Sequence, residues 1–71
     1  MYSYHPVEET ICHAEHGKFT TYGILVVCDG QILYTLSDVF ADRVVVESIC
    51  HMCTQEQVEP VHLNDVIYDM L

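Results

Sequence analysis

The sequence predicts a small α+β domain, in which a three-stranded antiparallel β-meander is followed by two helices packed on one sheet face as a second layer. Apolar residues alternate in the first half of the chain, and near Asp42 the pattern changes to a 3.6-residue period. A two-residue Asp29-Gly30 turn signal separates two of the apolar runs. The 71 residues suffice for one domain, residues 1–71, with a thin core.

Three strands are predicted, at Glu8–Ala14, Phe19–Cys28 and Gln31–Leu36. The central run is the strongest, because it is rich in aromatic and β-branched residues. A turn over residues 15–18 joins the first two strands. Asp29-Gly30 favours a type I′ hairpin, since both of its central residues take positive φ.

Short loops of even length assign the side chains to the two faces of this sheet. They pair Val27 with Ile32 and Leu25 with Tyr34 in one hairpin, and Ala14 with Phe19 in the other. The cleaner apolar face, assigned to the helices, carries Cys12, Ala14, Phe19, Leu25, Val27, Ile32, Tyr34 and Leu36. The opposite face carries Val7, Ile11, Tyr22, Ile24, Val26, Cys28 and Leu33, diluted by Glu9, His13, Gln31 and Thr35.

The opposite face is too apolar to be simply solvated, so we expect a partner to cover it. A loop of odd length would exchange the two sets of side chains without removing this surplus apolar face. Because a thin core gains from any further burial, the surplus apolar sheet face predicts a homodimer.

Two helices are predicted, the first from Asp42 to about Gln57 and the second from Pro60 or shortly after it. Asp42 suits a helix N-terminus. The buried stripe of the first helix is Val45, Val46, Ile49, Met52 and Cys53. The stripe of the second is Leu63, Val66, Ile67, Met70 and Leu71, with Ile67 expected to be buried at its centre.

The charge balance excludes two classes of partner. Eleven acids face only Lys18 and Arg43, which gives a net charge of −9. A nucleic-acid binder needs Lys and Arg to displace counterions from phosphates, and an anionic membrane surface makes the same demand. We therefore expect no nucleic acid and no membrane partner, whereas a basic protein partner is compatible with this charge.

Four cysteines in a short chain suggest disulfides only where the protein is exported. The N-terminal residues lack a basic region followed by an apolar one, so no secretory signal is expected and a cytoplasmic location is the default. Reduced thiols that fill core positions are then the expectation.

Several pieces of the chain resemble a short uncharacterised family. They are Tyr22-Gly23-Ile24 in a middle strand, Asp38 after the third strand, a helix ending near Cys53-Thr54, and the closing motif Pro60-x-His62-Leu63-x-Asp65-Val66-Ile67-x-Asp69. In this order and spacing they resemble a domain-of-unknown-function family of clostridial-type Firmicute proteins. The resemblance implies no activity, cofactor or ligand, and it departs from the family pattern at Phe40 and Glu59.

The sequence contains one motif of a kind found in redox and zinc sites, Cys50-His51-Met52-Cys53. A Cys-x-x-Cys pair serves as a redox couple or as half of a zinc site, with Cys12, His13, His16 or Cys28 as further ligands. The pair lies in mid-helix, however, which favours packing thiols. The sequence predicts structural or surface roles for His62, the Asp65/Asp69 pair and the five tyrosines. Gly23 marks a β-bulge or a close approach by an aromatic ring.

We therefore expect no enzyme and assign no catalytic, cofactor-binding or metal-binding residue. The leading hypothesis is a small non-catalytic interaction or regulatory module that self-associates through the surplus apolar sheet face. The alternative is a structural zinc or thiol-sensing protein that uses Cys50 and Cys53. A small enzyme is disfavoured, because a thin core leaves little room for a closed pocket.

Overall fold

The computed structural model describes all 71 residues as three strands followed by two helices. Strands β1 (Tyr2–His13), β2 (Gly17–Cys28) and β3 (Gln31–Phe40) form one antiparallel sheet in the order β1-β2-β3. Helix α1 (Arg43–Gln55) is followed by a 3₁₀ turn at residues 60–62 and by helix α2 (Leu63–Met70). Both helices contribute to one core with one face of the sheet, so the predicted α+β architecture is confirmed.

All three strands are longer than predicted; β2 begins at Gly17 and not at Phe19, and the other two are extended further. β1 begins at Tyr2, six residues before the predicted start at Glu8, and β3 continues to Phe40. Both are edge strands of the sheet. Pro6 is compatible with β1 because the missing N–H lies on the outer side of an edge strand, where no strand needs it.

The first hairpin has a loop of three residues, numbers 14–16, and not the even-numbered loop expected from the sequence. Gly17 follows the loop with φ +75°, a conformation that costs glycine little because it has no Cβ. Ile11 consequently pairs with Phe19, and the expected pairing of Ala14 with Phe19 is wrong.

The second hairpin follows the prediction at its turn and departs from it one residue later. Asp29 and Gly30 both have positive φ, and Val27 pairs with Ile32 as expected. A bulge at Leu33 then shifts the register, so that Leu25 lies opposite Thr35 and not opposite Tyr34.

The odd loop moves the side chains of β1 to the other face relative to those of β2, so Val7 and Ile11 share a face with Phe19, Leu25 and Val27. The helices pack on the face that was expected to be free, and Ile24 and Val26 are fully buried there. The core consists of Tyr4, Ile24, Val26, Val46, Ile49, Cys50, Cys53 and Leu63. The assignment of the helices to the face of Leu25 and Val27 is therefore wrong, although the surplus apolar face remains.

Helix α1 follows the prediction closely. The Asp42 carboxylate accepts a hydrogen bond from the N–H of Val44 at 2.9 Å and caps the helix. Val46, Ile49 and Cys53 are buried as predicted, while Val45 and Met52 are half-buried.

The last helix docks less deeply than predicted. Leu63, in its first turn, is 1% exposed and belongs to the core. Ile67 is only half-buried, and the expectation that it is the buried centre of the stripe is wrong. One side of Ile67 faces an open groove between α2 and β3, so the surface covered by α2 is small.

Candidate functional site

The sheet face opposite the helices has no covering element in the chain, and we name it the open face. Its members follow from the observed register, in which directly paired residues share a face. The apolar members are Val7, Ile11, Phe19, Leu25, Val27 and Ile32. Ile32 is 68% exposed, Phe19 is 43% exposed, and Leu33 at the bulge beside them is 50% exposed.

Part of the open face lies on a two-stranded extension, residues 10–20, which we name the hairpin arm. β3 reaches only as far as Phe40, which pairs with Tyr22, so β1 and β2 continue beyond the third strand. Every residue of the arm is exposed except Ile11, which is half-buried. A two-stranded ribbon without a covering layer is marginally stable by itself, so the arm gains from any surface that packs on it.

A polar bridge crosses the middle of the open face. The Glu9 carboxylate on β1 reaches across β2 and accepts a hydrogen bond from the N–H of Asp38 at 2.9 Å. The Thr21 hydroxyl lies between the edge strands, 2.7 Å from Oδ1 of Asp38 and 3.2 Å from the carbonyl oxygen of Phe40. The bridge ties both edge strands to the centre of the sheet and divides the apolar surface in two.

Gly23 makes this crossing possible. A Cβ at this position would lie 2.5 Å from the carbonyl oxygen of Leu36 and 2.7 Å from Oε1 of Glu9. Gly23 also sits at a register shift between β2 and β3, so the bulge predicted there is confirmed. The close approach comes from β3 backbone and a carboxylate, and the prediction of an aromatic neighbour is wrong.

The acids lie mainly away from the open face. Six of the eleven belong to residues 42–71, which form the helical side of the molecule. The carboxylates on the open face are Glu9 and Asp38, and both are hydrogen-bonded within the polar bridge. By the same register Ser3, His5, Glu9, His13, Thr21 and Thr35 also lie on the open face, so its apolar side chains are interspersed with polar ones. The chain as a whole has a net charge of −9.

The outer edge of β1 is covered by the end of α1. The Gln57 side chain accepts from the N–H of Tyr2 and donates to its carbonyl oxygen, both at 2.9 Å, as a neighbouring strand would. The Thr54 hydroxyl oxygen accepts from the N–H of Tyr4 at 3.0 Å. Pro6 continues this edge without an N–H, so β1 is closed to strand addition from its start to Pro6.

Tyr4 connects this edge to the core. Its side chain is buried, and its hydroxyl donates to the carbonyl oxygen of Val58 just after α1. Burial raises the pKa of Tyr4 to about 12, with smaller contributions from neighbouring groups such as Cys53. The phenol therefore remains protonated and serves as a hydrogen-bond donor that holds the chain after α1 against β1.

Cys50 and Cys53 are both buried on the side of α1 that faces the sheet. Burial raises the pKa of Cys50 to about 12 and raises the pKa of Cys53 as well. Thiols in this state are poor nucleophiles, because the nucleophile is the thiolate. The two residues act in the structure as small apolar core residues.

The further ligands considered from the sequence are not gathered around this pair. Cys12 and the stacked rings of His13 and His16, 4.7 Å apart, belong to the exposed far end of the first hairpin. Cys28 lies at the opposite end of β2. No group of three or more His, Cys, Asp or Glu side chains is arranged to hold a metal ion.

The remaining candidates are surface or structural residues. His62 precedes α2 without a side-chain capping bond, and Asp65 and Asp69 are exposed. Of the tyrosines, Tyr4 is buried and Tyr68 is 83% exposed, so the five do not form one cluster. No helix of the protein is long and apolar enough to cross a membrane.

The fold and the open face together describe a small two-layer α+β domain with one uncovered apolar surface. Comparison with known families identifies it further: the chain belongs to a family of unknown function, DUF6514, whose sequence model matches residues 1–71. The family resemblance noted from Tyr22-Gly23-Ile24, Asp38 and the closing motif is confirmed to this extent. No curated protein and no solved structure matches the chain.

Proposed function

We propose that the protein is a small non-catalytic interaction or regulatory module that associates with a second copy of itself through the open face. The observation that carries the proposal is the row of apolar side chains on a sheet face that no part of the chain covers. Apolar surfaces of this kind on soluble domains mark interaction sites.

The size of the open face fits a dimer. Strands of 12 residues span roughly 40 Å, and three strands are roughly 14 Å wide. The long axis of the molecule, 41 Å, matches the strand length. Two stacked faces then bury on the order of 1,000 Å² in total, which reaches the lower range of specific interfaces.

The distribution of charge favours a second copy over a basic partner. A basic protein finds most of its complementary acids on the helical side, whereas the open face offers few charges to it. Two open faces that stack on each other bury apolar side chains against apolar side chains. The same arrangement keeps the acids of the two helical layers on opposite outer sides of the dimer.

The state of the thiols supports a non-catalytic role and gives no support to the alternative based on Cys50 and Cys53. Their raised pKa values disfavour thiolate chemistry, and no third ligand stands beside them. The groove along α1 and β1, which includes Cys50 and has a volume of about 640 Å³, is a surface depression that presents no nucleophile and base in contact.

Sedimentation equilibrium tests the proposal. The wild-type protein is expected to sediment with twice the 8.2 kDa mass of the chain. Ile32→Glu is expected to raise the dimer dissociation constant by at least about tenfold, because the new carboxylate loses hydration in the interface without gaining a partner. Ile32 is 68% exposed, so the fold of a single copy should tolerate this change.

Val44→Glu is the matched control. Val44 has the same exposure, 68%, but lies in the first turn of α1 on the helical side. It adds the same charge, and we expect it to leave the dimer unchanged. A wild-type protein that stays monomeric at about millimolar concentration contradicts the proposal, as does equal weakening by both substitutions.

We further propose a cytoplasmic location and a clostridial-type Firmicute source. The four free cysteines support a reducing compartment. Alkylation of an anaerobic lysate, followed by mass spectrometry, is expected to label all four as thiols. Any disulfide found there, or stoichiometric zinc that is lost in Cys53→Ala, contradicts the expectation of reduced, metal-free cysteines.

A further inference from the structure

The two edges of the sheet are treated differently by the rest of the chain. On β1, Thr54 of α1 and Gln57 just after it bond the outward backbone groups of Tyr4 and Tyr2, and Pro6 removes another donor. No side chain of the helices makes a comparable hydrogen bond to the outer edge of β3. Natural sheets protect their edges against unwanted pairing, so an unprotected edge is a candidate site for an added strand.

The sequence of β3 fits this role. Residues 31–37 contain no charged residue, no Pro and no Gly, and residues 31–35 are all exposed. Such a segment has high β propensity and presents backbone hydrogen-bonding groups to a second extended chain.

The register identifies a residue whose backbone points outward. The N–H of Tyr4 bonds to α1, so the backbone groups of Tyr4 point away from β2. Its partner Val26 therefore points toward β3, where it pairs with Tyr34. Because inward and outward groups alternate along a strand, Thr35 directs its N–H and C=O to the outside.

A groove of about 360 Å³ lies beside this edge, between β3 and α2. Its apolar lining comes from Leu36 and Val39 on one side and from Ile67 and Leu71 on the other. Every second side chain of a strand added to β3 points to the helical side of the sheet. The groove is of the size that accepts such side chains.

The charge around the groove indicates which kind of partner binds there. Asp65 and Asp69 are exposed on α2, the helix that forms one wall of the groove, and no Lys or Arg belongs to α2 or β3. The Asp38 carboxylate is bonded to Thr21 on the open face and does not contribute to this charge. A second copy would bring the same acids to this edge, whereas a segment with basic residues is attracted to them. We propose that the outer edge of β3 and the groove bind an extended segment of another protein, in which apolar residues alternate with Lys or Arg, by strand addition.

An NMR titration tests this site apart from the open-face dimer. The probe is an acetylated and amidated heptapeptide of alternating Lys and Val, added to ¹⁵N-labelled protein at about physiological salt, where screening reduces non-specific attraction. Amide shifts are expected in residues 33–39 and 63–71. Thr35→Pro, which removes an outward N–H, is expected to weaken binding by at least about tenfold. The control Thr35→Val keeps the N–H and should bind as the wild type does.

Several results overturn the proposal. If Thr35→Pro and the wild type bind the Lys-Val heptapeptide equally, the peptide is attracted by charge alone and no strand is added. If a Glu-Val heptapeptide binds as well as the Lys-Val one, the acidic charge does not select the partner. Absence of binding, or shifts confined to the open face, rejects the site. Because the Thr35 side chain shares the open face with Leu25, a dimer that dissociates in Thr35→Pro but not in Thr35→Val assigns the edge to a second copy. If Thr35→Pro does not fold, Tyr68→Arg decides: Tyr68 is 83% exposed at the groove, and an added positive charge there should weaken the Lys-Val probe.

Discussion

The two faces of the sheet differ in what covers them, although the strands supply apolar residues to both. Ile24 and Val26 face the helices and are 0% exposed, whereas their neighbours Leu25 and Val27 face outward and are only half-buried. A sheet that needed just one core would place polar side chains on the second face. The contrast shows that the helices of this chain bury only one of the two faces, and that apolar side chains of the other face stay partly exposed.

The largest expected effect separates these two faces at adjacent positions. Ile24→Ala should lower the free energy of unfolding by about 3 kcal/mol, since it leaves a cavity in a closed core. Leu25→Ala removes the same number of side-chain carbon atoms from the open face and should cost about 1 kcal/mol in the single chain. Urea unfolding at low concentration, where a dimer dissociates, measures both. Equal losses would mean that the open face is packed within one copy.

A second prediction concerns the polar bridge and its requirement for glycine at position 23. Gly23→Ala places a Cβ against the Leu36 carbonyl and the Glu9 carboxylate, and it should destabilise the protein by about 1–3 kcal/mol. The combined change Gly23→Ala with Glu9→Ala removes one of the two clashes and should recover part of the loss. No recovery in thermal unfolding would show that the β3 backbone alone sets the requirement for glycine.

Substitutions at the protected edge of β1 should lower the free energy of unfolding by less. Gln57→Ala removes the side chain that bonds both backbone groups of Tyr2, at a cost of about 1 kcal/mol because water reaches this edge. Gln57 has φ +50°, so Gln57→Gly, which relieves the backbone, should be less destabilised than Gln57→Ala. Calorimetry of the two variants separates the side-chain effect from the backbone effect, and the reverse order would contradict this explanation.

The smallest expected effect concerns alkaline pH. Burial raises the pKa of Cys50 from 9.0 to about 12, so the unfolded chain releases this proton first as the pH rises. Stability from this group is full below about pH 9 and is lost as the pH rises toward about 12. Urea midpoints at about pH 8 and about pH 10.5 should therefore fall less in Cys50→Ala than in the wild type. An unchanged pH dependence would mean that Cys50 does not contribute to the loss of stability at alkaline pH. The buried Tyr4, whose pKa is also about 12, lowers stability in the same direction in both proteins.

The sequence predicts the architecture and both helices because their signals are local. The change of period near Asp42, the Asp42 cap and the Asp29-Gly30 turn each act over a few residues. The assignment of faces failed for β1 because it depends on the parity of one loop. It failed for β2 because both faces of this strand are apolar, so the pattern does not indicate which one the helices cover. Gly17, able to take positive φ at no cost, was the available signal for a three-residue loop.

The features that define the candidate surfaces depend on contacts between distant residues. Thr54 and Gln57 bind β1 residues that are 50 and 55 positions away, and nothing in their local sequence indicates this role. The alternation of Tyr2, Tyr4 and Pro6 was the one readable signal that β1 begins early. The surplus apolar face was predictable because it follows from composition and alternation whichever face the helices take.

The most direct test of the open-face dimer is an isotope-filtered NOE experiment on a mixture of ¹³C-labelled and unlabelled protein. The proposal predicts intermolecular NOEs to the methyl groups of Leu25, Val27 and Ile32 and none to those of Val44 or Val61 on the helical side. Absence of intermolecular NOEs to the open face in a sample shown to be dimeric, or their appearance at the helical side, would contradict it.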